Sequence, residues 1–262
     1  MNGTLVVFQR ELSGLFRAPF TWIVLLIVLV LNGLIFNGFL IGTGGNISDA
    51  LDASMTGPLF WIWIVFLPAL LAMRLVAEES RSGTLEYLLT APVSDFAVVL
   101  GKFAAATAFL AILWTSSLLY AGATAVIGGN PDWPAVLGTW MGTIFVSALF
   151  VAIGMLASTF TATPLLAAFL SMVACIAWLA VPLLAGQVFS YLIPLIAKTE
   201  EARNAWATTV RDIASNMDAF GHFQRSFRLG LLDTAELVFF VTWTALFLFL
   251  TARSLEARRW RG

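Results

Sequence analysis

The sequence predicts an all-α integral membrane protein. Its six transmembrane helices are preceded by an N-terminal amphipathic helix, with a short cytoplasmic helix between spans two and three and extracytoplasmic helices between spans five and six. Three observations predict this. Of 262 residues, 60% are hydrophobic and 11% charged, where an average soluble chain carries about 25% charged residues. Six segments are long and apolar enough to cross a membrane, a crossing that takes about 20 residues at 1.5 Å each for a hydrocarbon core of about 30 Å. Lysine and arginine gather at those segment ends that fall on one side, the asymmetry that orients membrane proteins.

Residues 1–19 come first. Phe8, Leu12, Leu15 and Phe16 lie at helical spacing, with Arg10, Glu11 and Arg17 off that face, so this is an amphipathic helix. The apolar run that follows is too long for a signal-peptide core and lacks a small-residue cleavage site; it is expected to be a retained helix. The spans are Phe20–Ile41, Pro58–Ala77, Phe96–Ile127, Ala135–Phe160, Pro164–Gly186 and Ala235–Thr251. The third is too long to stand perpendicular and is expected to project into the cytoplasm through Lys102, whose amine would snorkel to the interface. Ser94 or Asp95 can cap it, and Asp233 or Thr234 can cap the sixth span.

With six spans, Arg10, Arg17, Arg74, Arg81, Lys102, Arg253, Arg258, Arg259 and Arg261 all fall on one side. The opposite loops, Gly42–Gly57 and Gly128–Pro134, hold Asp49, Asp52 and Asp132 but no lysine or arginine. Both termini are therefore expected to be cytoplasmic. The segment 187–233 is the exception, since it places basic residues outside; long translocated loops obey the charge rule poorly. Ala202, Ala205, Trp206, Thr209, Val210 and Ile213 recur there at helical spacing.

Several chemistries are excluded. A net charge of −1 gives nucleic acid no electrostatic footing. A single cysteine, Cys175, forms no internal disulfide and no cysteine-ligated metal site. No G-x-x-x-x-G-K-[ST] loop precedes Lys102 or occurs elsewhere, and no G-x-S-x-G is present. The lone histidine, His222, reads as an ordinary surface residue of an external loop. The spans hold almost no ionisable group to carry a coupling ion. The chain thus has no visible energy source, catalytic residue or cofactor of its own.

Other features bear on packing. Gly138 and Gly142 form a GxxxG, continued by Ala148/Ala152 and Gly154/Ser158; this spacing brings helices close, within the chain or between two copies. Pro68 and Pro182 can kink their spans. Trp22, Trp133, Trp178 and Trp260 read as interfacial anchors.

The charged break between spans two and three carries the functional signal. In "EESRSGTLEYLLTAPVSDFAVVLGK", Gly83 permits a turn, Ser82 or Thr84 can cap, and Glu86 falls in the first helical turn, where an anion is favoured. Leu85, Leu88 and Leu89 form one apolar face, and Pro92 ends the helix. A helix this short is unstable alone, so the leucines need a cover: the lipid interface, the chain's own helix ends, or a soluble partner. Each leucine contributes about 1.5–3 kcal/mol when fully buried, before association costs.

This segment resembles the region after the second helix of type-2 ATP-binding-cassette (ABC) permeases, through Glu78, Glu79, Gly83, Thr84, Glu86, Leu88, Leu89, Pro92 and Val93. The resemblance implies that residues 78–93 are a coupling helix seated in a cleft of a separate ATPase subunit, with Arg81 and Leu85 on the same contact. The front, "FQRELSGLFRAPFTW", is similar to that family's connecting helix. The tail from Gly221 to Trp260 resembles the gliding-motility-associated branch, whose relatives also serve nitrous-oxide-reductase maturation and other export. The implied role is the non-catalytic permease subunit of an ABC exporter. It would work with an ABC ATPase that holds ATP and Mg, a second permease copy or sibling, membrane lipid and an extracytoplasmic accessory protein. A membrane scaffold of an envelope or motility complex is the alternative.

Overall fold

The computed structural model describes residues 3–75, 77, 81, 94–196 and 199–259. Among them the regular elements are helices. They are α1 (Gly3–Arg17), α2 (Pro19–Gly42), α3 (Ile47–Thr56), α4 (Pro58–Leu75), α5 (Asp95–Val126), α6 (Trp133–Ser158), α7 (Pro164–Ile196), α8 (Glu200–Met217), α9 (Ala219–Arg225), a 3-10 turn (Phe227–Leu229) and α10 (Thr234–Arg259). Six of these, α2, α4, α5, α6, α7 and α10, are long and apolar enough to cross a membrane.

Local chemistry sets the ends. Pro19 and Pro134 sit in first turns, where a missing N–H costs nothing. Asn46, Ser94, Asp132 and Thr199 accept backbone hydrogen bonds at the starts of α3, α5, α6 and α8. Asp233 accepts from Ala235 N at 2.9 Å, at the head of α10. After α5 the chain turns through Gly128, whose φ of 94° suits only glycine.

α6 is the centre of the molecule. It packs against α4, α5, α7 and α10, and one continuous core runs from Leu15 through Trp114, Leu149 and Phe150 to Phe240 and Leu255. α1 lies across the start of α5 so closely that a Cβ on Gly101 would sit 2.7 Å from that of Val7. Leu15 of α1 is buried, and Leu12 and Phe16 join the core.

The structure departs from the sequence reading at several points. The loop 42–57 contains α3, capped by Asn46 and packed on α2. α7 runs ten residues beyond Gly186 as one helix with Pro182 inside it. α10 continues past Thr251 to Arg259. The apolar face on α8 is divided: Val210 is buried, whereas Trp206 and Ile213 are exposed. Trp178 is no interfacial anchor; it lies edge-on to Trp243 and Phe247 at 4.7 and 5.4 Å, well inside the bundle.

Candidate functional site

Two polar sites stand out, one at each end of the bundle. The first is at the end that carries α1 and the basic residues. Of the expected partner-contact residues, Glu78, Glu79, Gly83, Thr84, Leu85, Glu86, Leu88 and Leu89 lie outside the described residues. Arg81 is described and exposed, Ala77 is fully buried, and Ser94 caps α5. The segment is thus bounded by α4 on one side and α5 on the other.

These boundaries are held by a junction that the sequence did not disclose. Lys102, expected to snorkel, is only 2% exposed. Its Nζ donates to Glu11 Oε1 of α1 at 3.1 Å. Burial disfavours an ionised Glu11, but Lys102 and Arg10 outweigh it and hold the carboxyl below the usual carboxylate range. Phe16 meets Phe109 of α5 edge-on at 5.7 Å, and Trp22 Nε1 donates to Phe16 O at 2.8 Å. Leu75, Val99, Ala252 and Leu255 extend the same core, which joins the ends of α4 and α10 to α1 and α5. On α10, Ser254 Oγ and Thr159 Oγ1 of α6 are 2.9 Å apart. The hidden signal was a pairing between distant residues: an acid on the polar edge of α1 and a lysine near the start of α5.

The second site is at the opposite end. α9 and the 3-10 turn fold back onto α6, and the GxxxG is their seat. A Cβ at Gly138 would lie 2.4 Å from Phe227 O, and one at Gly142 2.5 Å from Phe227 Cβ. The motif therefore serves packing within the chain, against a folded-back segment rather than another spanning helix. Gly230, with φ 71°, closes this segment where a Cβ would strike Pro134 backbone at 2.4 Å. Trp61 of α4 meets Phe220 and Phe223 edge-on at 4.9 and 5.4 Å. Arg228 makes a bidentate pair with Asp52 of α3 at 2.6 and 2.8 Å.

His222 belongs to this second site and is not an ordinary surface residue. Its side chain is 13% exposed and hydrogen-bonded through Nδ1 to Glu236 of α10. The ring stacks on Phe239 at 3.9 Å between centroids. Glu236 was overlooked because it opens an apolar span, where one acid reads as a cap. Cys175 is buried with its thiol facing Phe150 O at 3.7 Å, a packing residue. Among the described residues no cluster of histidine, cysteine or acidic groups could hold a metal ion.

Among the described residues, an all-helical architecture with six helices long and apolar enough to cross a membrane agrees with the fold expected from the sequence. A family profile described as ABC-2 family transporter protein matches residues 7–199, about three quarters of the chain. The chain belongs to the ABC-2 transporter family. Family membership supports a multi-pass membrane permease that partners an ABC ATPase. The matched stretch takes in α1, the segment 78–93 and α7, and it stops before α8. No curated protein matches the chain.

Proposed function

We propose that this ABC-2 permease is the membrane subunit of an exporter, driven by ATP hydrolysis on a separate ATPase subunit that holds ATP and Mg. The observation that carries the reading is the junction at the basic end. The segment with the coupling-helix sequence lies in the chain between α4 and α5, and these two helices share one core with α1 and α10. A push on Glu78, Glu79, Arg81, Gly83, Thr84, Leu85, Glu86, Leu88 and Leu89 would tilt those helices together. The basic end faces the cytoplasm of a bacterial inner membrane, by the lysine and arginine asymmetry. A motility association is proposed from the tail, Gly221 to Trp260, which resembles the gliding-motility-associated branch.

A second copy is proposed to lie along α7. Its 33 residues reach about 50 Å at 1.5 Å each, about 20 Å more than the hydrocarbon core. Leu165 (84% exposed) marks one end, and Tyr191 (77%) and Leu195 (78%) the other, so lipid tails alone do not cover the stripe. An apolar groove of about 650 Å³ between α4 and α7, lined by Phe66, Leu70, Leu165 and Phe169, adjoins it.

The test is a mild-detergent pull-down of the tagged protein from its own cells, beside a Glu86→Arg/Leu88→Asp variant. ATPase activity should accompany the wild type and be lost from the variant, while both elute as folded protein. Absence of ATPase from both would overturn the coupling reading and favour a scaffold.

A further inference from the structure

We propose that a polar cavity between α2, α3 and α5 binds one ordered water deep in the membrane, and that this water ties α2 to α5. The inference goes beyond the transport reading and does not depend on it. Ser116 of α5 carries the observation. It is 7% exposed, and among the described residues its hydroxyl has no hydrogen-bond partner. Other hydroxyls of the same helix behave differently. Thr115, Ser117 and Thr124 donate to the carbonyls of Ala111, Trp114 and Ala121, one turn back, at 2.9, 2.7 and 2.8 Å. Ser116 instead lines a cavity. Lipid offers a hydroxyl no solvent in exchange, and an unmet polar group in apolar surroundings is costly.

The cavity supplies the rest of the site. Asn32 of α2 brings an amide, with an oxygen that accepts and a nitrogen that donates. Ser54 of α3 lines the same space with its proton already given to Leu51 O at 2.9 Å. Ser117 gives its proton to Trp114 O, and Tyr120 donates to Leu29 O of α2. The oxygens of these three hydroxyls still accept. Donors are thus offered by Ser116 and Asn32, and acceptors by all five side chains. A water, which donates and accepts, suits this mixed set. An ion does not, since no charged side chain lines the cavity. Size points to the same occupant. The cavity measures about 20 Å³, and one water needs about 10–15 Å³ with two to four polar partners. A sugar or a lipid headgroup is too large.

Position gives the water its role. Asn32 follows Pro19, the first residue of α2, by about 20 Å at 1.5 Å per residue. That is close to the midplane of a hydrocarbon core of about 30 Å centred on the helix. α2 is the spanning helix with least protein around it: 6% of its apolar stretch is buried, against 50% in α5. The Tyr120 bond reaches it beside Gly33, where a Cβ would meet the phenol oxygen at 2.9 Å. Leu29 and Asn32, three positions apart, share one face of α2. The water adds a second polar tie on that face, where direct contact between side chains is sparse.

The test uses full-length protein in nanodiscs under microsecond X-ray pulses, which split water into hydroxyl radicals, with oxidation mapped by mass spectrometry. Met55 lines the cavity and is 5% exposed. Met155 of α6 lies in the apolar core, 0% exposed, and is the reference. A water in the cavity forms radicals within reach of the Met55 sulfur, so Met55 should be oxidised at least fivefold faster than Met155. Asn32→Leu/Ser116→Ala removes both donors and leaves Met55 as covered from outside as before. Its Met55 rate should fall to within about twofold of Met155. Thermal unfolding checks that this variant is folded; if it is not, Ser116→Ala alone should lower the Met55 rate at least twofold. Equal rates for the two methionines in the wild type overturn the bound water. A Met55 rate unchanged in the folded variant also overturns it, because the radicals would then come from bulk solvent.

Discussion

α6 and α7 are neighbours in sequence and both are apolar from end to end, yet their surroundings are opposite. Of the apolar stretch in α6, 72% is buried; in α7 the figure is 17%. Hydrophobicity does not separate them, because lipid tails and protein interior are equally acceptable to a leucine. Small residues do. α6 carries Gly138 and Gly142 against the folded-back segment, Ser147 against Trp114 of α5, and Gly154 against Ala72 of α4 and Ser171 of α7, so neighbours on several sides can approach its backbone. α7 buries its small residues along one seam only, Ala167, Ser171 and Cys175, with Ser171 Oγ donating to Gly154 O at 3.0 Å; Ala177, Gly186 and Ser190 on the same helix are exposed. Gly186, further along α7, meets nothing within 4 Å. A helix is central when its small residues are met by neighbours on several sides, and peripheral when only one line of them is.

The comparison breaks first at the glycines of α6. Gly142→Leu would drive a side chain into Phe227, and Gly154→Leu into Ala72, whose Cβ a new Cβ would meet at 2.6 Å. Overpacking of this kind costs about 1–3 kcal/mol, and more where backbone must move. Thermal unfolding in nanodiscs should show clear losses for both. Gly186→Leu on α7 is the control and should unfold as the wild type does. Equal losses at Gly142 and Gly186 would mean that small residues do not define the core.

A second effect sharpens the comparison at the basic end, where Gly101 lets α1 lie against α5 much as Gly142 admits the folded-back segment. The Glu11 carboxyl is held below its ordinary value by Lys102 and Arg10 against the cost of burial. A lowered folded-state value means the contribution is fully present above the ordinary carboxylate pKa and is lost as pH falls through the folded one. Hydrogen exchange corrected for intrinsic pH dependence should show α1 loosening below about pH 4.5, earlier than α6. Glu11→Gln should loosen α1 already at pH 7. Next in size is Ser171→Ala, which removes the bond to Gly154 O while leaving the seam filled. Hydrogen bonds between membrane helices average about 0.6 kcal/mol, so a small but measurable drop in stability is expected.

Much of this was legible in the sequence, and the division follows the physics. Six runs of apolar residues announce spans because no other structure satisfies their backbone in lipid. Ser94 and Asp233 mark the starts of α5 and α10 through local capping. Lys102 and His222 were misjudged because their environment comes from residues 91 and 14 positions away in sequence, Glu11 and Glu236. Glu11 looked like one member of a polar helix edge, and Glu236 was passed over in favour of Asp233 and Thr234 as caps of the sixth span. The end of α7 was placed early because Gln187 and Ser190 interrupt the apolar run, although neither breaks a helix. Nothing local indicated that Trp178 meets Trp243.

The smallest expected effect tests what covers α7. Leu183 is 66% exposed, and Leu183→Ala removes three carbons from a surface that faces either lipid or another copy. In lipid, folded and unfolded states surround that leucine with the same hydrocarbon, so no transfer energy is lost and unfolding should change by less than about 0.5 kcal/mol. Tyr191 and Leu195 lie farther out, beyond the reach of lipid tails in the proposed orientation. Tyr191→Asp should likewise leave the fold of one copy intact, since its side chain is 77% exposed among the described residues. Its effect should appear between copies. Subunit counting by single-molecule photobleaching in nanodiscs should give pairs for the wild type and for Leu183→Ala, and single copies for Tyr191→Asp. Pairs in all three would place the partner on another face, leaving α7 to lipid. Unfolding of Tyr191→Asp would show that the helix supports its own chain more than its exposure suggests.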